Sequence, residues 1–144
     1  MIKFISEVSS NHNQDISRME DFIQISSEIG CYGVKFQLFK IEELFSKEIL
    51  NKSKTHRDRK NWELKEETVP YLYELCLKHG LKFSCTPFYL EAVEILAPYV
   101  DFYKIASYEL LWKDLFSQCG NKGKPVVFST GMAVYQEVED AYKK

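Results

Sequence analysis

Two lysines, two glutamates and several hydroxyl-bearing residues fall at or just beyond the ends of short apolar runs. The runs are Phe4–Val8 with Glu7, Val34–Leu38 with Lys35 and Gln37, Lys82–Thr86 with Ser84 and Thr86, Tyr103–Ser107 with Lys104 and Ser107, and Pro125–Thr130 with Ser129. Glu109 lies two residues past the fourth run, and the pair Asn11-His12 follows the first. A charge within a β-rich run either sits in a dry interior, which is costly, or projects into a ligand site. Repetition of the pattern in five runs points to a polar active centre built from cations, hydroxyls and carboxylates. The same groups have plainer uses. Lys35 and Lys104 can form structural ion pairs with Glu7 and Glu109 or snorkel to a sheet edge. Ser84, Thr86, Ser107 and Ser129 can cap following helices, and a lone histidine in a loop, such as His12, is ordinarily exposed. An anion at a helix amino terminus uses the geometry of a cap, so the two readings are compatible.

The segments between the runs have helical periodicity. Ile16, Met19, Phe22, Ile23 and Ile29 predict a helix capped by Asn13 or Asp15 and ended by Gly30. Leu64, Thr68, Leu72, Leu75, Cys76 and His79 predict a second, stopping at Gly80. Leu90, Val93, Leu96 and Ala97 predict a third closed by Pro98; Leu111, Leu115 and Phe116 mark a fourth, and Val134, Val138, Ala141 and Tyr142 a fifth. Strands alternating with helices are the signature of a parallel sheet with right-handed crossovers. No Gly-x-Gly-x-x-Gly or Walker A pattern follows a strand, which argues against a Rossmann or P-loop protein. A (β/α)8 barrel places catalytic groups at the carboxyl ends of successive strands, as here, but a closed barrel needs eight strands and roughly 250 residues. The expected fold is therefore α/β: the amino-terminal portion of a TIM (β/α)8 barrel, about five βα units occupying residues 1–144 as one partial domain. It would be an incomplete piece or a truncated gene product, with open edges available for homo-oligomerisation. The rival is a complete open five-stranded sheet with helices on both faces.

Composition narrows the function classes. The chain has 144 residues, 45% apolar and 28% charged, with a net charge of −2. That is ordinary for a globular domain, and it supplies no global field for nucleic acid or an anionic membrane. No apolar run approaches a membrane span, and Met1–Phe4 passes into the first strand without a signal-peptide pattern. Cys31, Cys76, Cys85 and Cys119 lack zinc or CxxC spacing. Reduced thiols of this kind fit a cytoplasmic location.

Taken in order, Glu7, Asn11-His12-Asn13, Val34-Lys35-Phe36-Gln37, Ser84-Cys85-Thr86-Pro87-Phe88, Tyr103-Lys104-Ile105-Ala106-Ser107-Tyr108-Glu109 and Gly123-Lys124-Pro125 through Ser129-Thr130-Gly131-Met132 span nearly the whole chain. In these residues the chain resembles the N-acetylneuraminate (sialic acid) synthase family, with its legionaminate, pseudaminate and spore-coat polysaccharide relatives. The resemblance implies condensation of phosphoenolpyruvate with an N-acetylmannosamine-like amino sugar, giving a nine-carbon 2-keto sugar acid and phosphate for surface polysaccharide synthesis. By position, Lys35 and Lys104 match lysines that hold phosphoenolpyruvate, and Thr86, Ser107 and Ser129 match hydroxyl donors to its phosphate or carboxylate. Gln37 matches a glutamine of the same pocket. Glu7 and Glu109 match the catalytic carboxylates on the sugar side, and Asn11 and His12 are expected only to line the site.

The resemblance also implies a divalent metal, typically manganese, whose two histidine ligands come from later strands; His12, His56 and His79 lie outside those motifs. The isolated chain is accordingly expected to bind anions weakly and not to turn over. Full-length relatives continue for three more strands and an antifreeze-like domain. Tyr108 stands where relatives usually have glycine and is expected to crowd the pocket or redirect Glu109, Cys85 replaces a small serine-like residue, and Asn13-Gln14-Asp15 replaces the usual Asn-Gly. The basic run 51–61 is read as a solvated, mobile loop, one that in the family overlies the mouth of the site. Two alternatives are a sibling phosphoenolpyruvate aldolase making a seven- or eight-carbon keto acid, and a non-catalytic barrel fragment serving as a binding or assembly module.

Overall fold

Side chains on a β-strand alternate between faces, and here the alternation separates apolar from polar residues almost completely. The computed structural model describes residues 2–143. Five strands, β1 (Ile5–Ser9), β2 (Gly33–Leu38), β3 (Lys82–Pro87), β4 (Phe102–Ile105) and β5 (Val126–Phe128), form one parallel sheet in sequential order. This is a partial TIM barrel, as expected, and not a doubly wound sheet with its reversed strand order.

One face carries Val34, Phe36, Leu38, Phe83, Cys85, Tyr103 and Ile105, all buried. Helices α1 (Ile16–Glu28), α5 (Val69–Lys78), α6 (Leu90–Leu96) and α7 (Lys113–Gly120) supply the opposing core residues Met19, Ile23, Leu72, Cys76, Val93, Leu96 and Leu115. Burying one such large apolar side chain stabilises the fold by about 1.5–3 kcal/mol, so this layer holds the sheet together. The other face carries Glu7, Lys35, Gln37, Ser84, Thr86 and Lys104. Register sets Glu7 beside Lys35 and Lys35 beside Ser84, then Gln37 beside Thr86 one step further toward the carboxyl rim. At the foot of this face Ile5 and Val127 remain partly exposed.

Local chemistry explains the helix boundaries. The Asp15 carboxylate accepts from the Arg18 amide at 3.2 Å, and Gly30, at φ +77°, ends the α1 turn. The second predicted helix begins only at Val69, after a 3-10 turn at Glu66–Thr68; Leu64 is buried but belongs to the preceding connection. The fourth begins at Lys113, leaving Leu111 outside it and exposed, because a 3-10 turn at Ser107–Glu109 follows β4 directly. The last helix, α8, covers Tyr135–Tyr142.

Residues 51–61, expected as a solvated loop, are mostly exposed but helical. The β2–β3 connection folds as α2 (Ile41–Leu44), α3 (Lys47–Lys52), α4 (Lys54–Asp58) and a 3-10 turn at Arg59–Trp62. Ser46 caps α3, and Lys52 and Lys54 pair with Glu48 and Asp58 one turn away at 2.6 and 2.7 Å. Arg57 donates to the carbonyls of Leu50 and Asn51 at 2.6 and 3.2 Å, tying α4 to the end of α3. Glu63 accepts from the Ile41 amide at 2.7 Å and pairs with Lys60 at 3.0 Å. Neither α3 nor α4 buries a residue, so no apolar stripe marks them in the sequence.

Candidate active site

The carboxyl ends of the strands gather most of the predicted polar residues. Lys35 Nζ lies 2.5 Å from Glu7 Oε2 and donates to Thr86 Oγ1 at 3.4 Å. Lys104 Nζ donates to Ser129 Oγ at 2.6 Å and to the Ile105 carbonyl at 2.5 Å. Ser107 meets the same loop: a Cβ built on Gly131 would lie 2.9 Å from Ser107 Oγ, so glycine here lets the Ser107 hydroxyl keep its present position. Lys35 and Thr86 are buried, while Lys104, Ser107 and Ser129 are half-buried.

The charges act on one another. Burial lowers the pKa of Lys104, and the nearby Lys35 charge lowers it further, against the raising influence of Glu7 and Glu109. Burial raises the pKa of Glu109, opposed by an internal backbone hydrogen bond and by Lys104. Glu7, Lys35, Lys104 and Glu109 thus share one electrostatic neighbourhood. Gln37, on the same strand face as Lys35, lines with Glu109 an adjoining cavity of about 610 Å³.

The plainer roles are only partly realised. Lys35 does pair with Glu7, but Lys104 has no carboxylate partner among the described residues. None of the four hydroxyls caps a helix. The Ser84 hydroxyl donates to the Phe102 carbonyl at 2.9 Å, α6 starts after Tyr89, and at α8 the Glu137 carboxylate accepts from the Val134 amide at 2.9 Å.

Asn11 and His12 stand apart from this cluster. The Asn11 side-chain amide donates to the Val8 carbonyl at 3.0 Å, and His12, expected to be exposed, is fully buried with its ring centroid 6.0 Å from that of Phe36. The turn that buries it takes Ser9, Asn13 and Gln14 through positive φ, with the Gln14 amide donating to His12 Nδ1 at 3.0 Å. Burial lowers the His12 pKa to about 4. Tyr108 does not fill the pocket either: its side chain is 85% exposed at the cavity rim, and Glu109 turns inward.

Among the described residues no group of three or more His, Cys, Asp or Glu is placed to hold a metal ion. His12 has Nδ1 occupied by a backbone donor. The described residues by themselves therefore do not form a metal site.

Residues 22–144 match the model of the NeuB family. The chain belongs to the NeuB family. Its NeuB relatives include pseudaminic acid synthase of Helicobacter pylori, 30% identical over 96% of this chain and 44% of that protein. N,N'-diacetyllegionaminic acid synthase of Legionella pneumophila is 31% identical over 95% of this chain and 42% of its own length. The crystal structure of an N-acetylneuraminic acid synthetase from Leptospira borgpetersenii superposes with a TM-score of 0.90 at 26% identity, covering 99% of this chain and 49% of that one. The chain thus spans about two-fifths of the length of the curated NeuB relatives it matches.

The resemblance sets the basic run 51–61 over the mouth of the site, but the sequence does not single out which residues of that connection line the cavity. Phe45, Arg59 and Trp62 come from the β2–β3 connection to line the cavity with Gln37 and Glu109. The Gln14 side chain donates to the Lys60 carbonyl at 2.8 Å and so braces that connection against the loop after β1. Spacing does not single these residues out, because the cavity is assembled from four separate connections.

Proposed function

We propose that this chain supplies the phosphoenolpyruvate-binding rim of a synthase that condenses phosphoenolpyruvate with an N-acetylated amino sugar of the N-acetylmannosamine type, releasing phosphate. The product is a nine-carbon 2-keto sugar acid of the sialic acid type, destined for surface polysaccharide. The observation that carries the reading is the convergence of the Lys35 and Lys104 ammoniums with the hydroxyls of Thr86, Ser107 and Ser129 at one end of the sheet. Membership of NeuB, and the synthases named among the relatives, support it.

Two cations and three hydroxyl donors on a strand rim suit a small polyanion carrying both a phosphate and a carboxylate. Lys104 is the stronger anchor, because its present partners are neutral and its charge is uncompensated at short range. Lys35 is already paired with Glu7, which fixes its direction and leaves Thr86 to share it. Glu109 holds its proton to higher pH than an ordinary carboxyl because it is buried. A carboxyl so tuned can hand a proton to an acceptor oxygen or take one from an attacking water. Gln37 from β2 and Glu109 from the 3-10 turn after β4 are polar groups of the adjoining cavity, which is where the sugar is placed. The four free cysteines suit a reducing cytoplasm, and no described helix is long and apolar enough to cross a membrane.

Calorimetric titration with phosphoenolpyruvate tests the assignment. Lys104→Met is expected to weaken binding at least ~10-fold, the scale of a lost charge-assisted contact. Unchanged affinity in Lys104→Met, in a protein with unaltered thermal unfolding, overturns it.

A further inference from the structure

The basic run 51–61 contains Lys52, Lys54, Arg57, Arg59 and Lys60. Lys52, Lys54 and Lys60 are paired with carboxylates, and Arg57 is committed to two backbone carbonyls. Arg59 alone among them has no ion pair or hydrogen bond to a described residue, and its Nε is buried without a partner. Buried polar atoms without partners are rare in folded proteins, and each calls for a physical reason. Three side-chain atoms of this kind occur among the described residues, in His12, Arg59 and Glu109. Two of the three, Arg59 Nε and Glu109 Oε2, belong to residues lining the same cavity of about 610 Å³.

The aromatic neighbours of Arg59 do not satisfy it. Its guanidinium carbon lies 5.4 Å from the Phe45 ring centroid and 5.8 Å from that of Trp62. Ring faces attract the charge, but the N–H bonds lie in the guanidinium plane and still need acceptors. Phe45 is itself held edge-on by His56 at 4.7 Å, and His56 Nδ1 lies 2.7 Å from Ser53 Oγ. The guanidinium is therefore pre-positioned on a cavity wall with Nε buried and no side-chain hydrogen bond to any described residue. A fixed planar donor in an apolar surround selects a planar or multi-oxygen anion over a neutral hydroxyl.

We propose that Arg59 is a specificity-determining residue that pairs with an anionic substituent, a carboxylate or a phosphate, on the acceptor sugar, while Glu109 meets a hydroxyl of the same molecule. The placement of the sugar in this cavity rests on the function proposed above; the anion preference rests on Arg59 itself.

Trp62 lines the cavity and is a built-in fluorescent reporter. The protein is titrated with N-acetylmannosamine, N-acetylmannosamine 6-phosphate and an N-acetylhexosaminuronic acid, with phosphoenolpyruvate at saturation so that the strand-end cations are occupied. Trp62→Phe identifies the signal that belongs to the cavity. Wild type is expected to bind at least one anionic sugar ~10-fold or more tighter than the neutral one, and the two anionic arms tell carboxylate from phosphate. Arg59→Gln removes that preference by weakening the anionic sugar more than the neutral one, whereas Arg59→Lys retains part of it. Equal affinity for neutral and anionic sugars in wild type, no binding of any of them, or an equal loss of both in Arg59→Gln overturns the proposal. Wild-type selectivity carries the test even where a variant folds poorly. If phosphoenolpyruvate fails to bind but the Arg59-dependent preference persists, the synthase reading falls and the anion site stands.

Discussion

Acidification offers a quantitative test of how the β1–α1 turn is built. His12 is fully buried, its Nδ1 accepts from the Gln14 amide, and its Nε2 has no partner. Protonation would place a charge in that dry site, which is why the ring pKa falls from 6.5 to about 4. In the unfolded chain the ring takes a proton near its ordinary value; in the folded chain it refuses one until about pH 4. Between those two pH values the unfolded state binds more protons, so folding stability must fall as pH falls, and the loss levels off below about 4. At 1.36 kcal/mol for each pH unit of displacement, the full effect is about 3 kcal/mol, a large fraction of the 5–15 kcal/mol typical of a domain. The comparison is with His12→Asn, whose side-chain oxygen can accept from the Gln14 amide but does not titrate. Urea unfolding of both proteins from pH 7.5 to 4 cancels the carboxylates they share. The difference between them is expected to narrow by about 3 kcal/mol over that range. A difference that stays flat, or an imidazole resonance titrating near 6.5 in the folded protein, refutes the buried neutral ring.

Three further outcomes follow from the geometry. Phe36→Ala empties a fully buried position between β2 and the helices and is expected to cost about 3–5 kcal/mol in urea unfolding. Phosphoenolpyruvate affinity is expected to fall as pH rises, at a lower pH than an ordinary lysine would dictate, because burial and Lys35 make Lys104 lose its proton early; calorimetry across alkaline pH reads this, and Lys104→Arg should flatten the profile. Gly131→Ala would set a methyl 2.9 Å from Ser107 Oγ, so the Ser107 hydroxyl must turn away or the Ser129–Gly131 loop must shift. It should weaken phosphoenolpyruvate binding several-fold, and more than it lowers the thermal midpoint.

What could be read from the sequence was what a single strand or helix encodes by itself. Alternation within Val34–Leu38 already assigns Val34, Phe36 and Leu38 to one face and Lys35 and Gln37 to the other, and the folded sheet keeps that division. The helix over Ile16–Glu28 was legible for the same reason, and of its two candidate caps, Asn13 and Asp15, the structure uses Asp15. The connection after β2 was not legible, because α3 and α4 bury nothing and are held by ion pairs and carbonyl contacts that leave no apolar period. His12 was misread because its burial depends on backbone turns at Ser9, Asn13 and Gln14, none of which is glycine and all of which adopt positive φ. Residues without glycine's freedom give no composition cue for such a turn. Arg59 was hidden among like charges, and only pairing partners in space separate it from Lys52, Lys54, Arg57 and Lys60.

The two lysines of the rim illustrate how the fold divides stability from binding. Lys35 is buried on the polar face, and Glu7 at 2.5 Å compensates it, so its burial needs no ligand. Lys104 receives only a hydroxyl and a carbonyl, and Lys35 repels it. Neutral acceptors orient an ammonium but leave its charge in place, and repulsion between the two cations is relieved only when negative charge arrives. Placing a carboxylate next to Lys104 would quiet the rim and block the site at once. The fold instead holds Glu109 close enough to act on Lys104 through space while forming no ion pair with it, and Glu109 retains its proton more readily because burial outweighs the lowering influence of Lys104. On the function proposed above, one separation keeps Lys104 open to an anion and Glu109 suited to proton transfer.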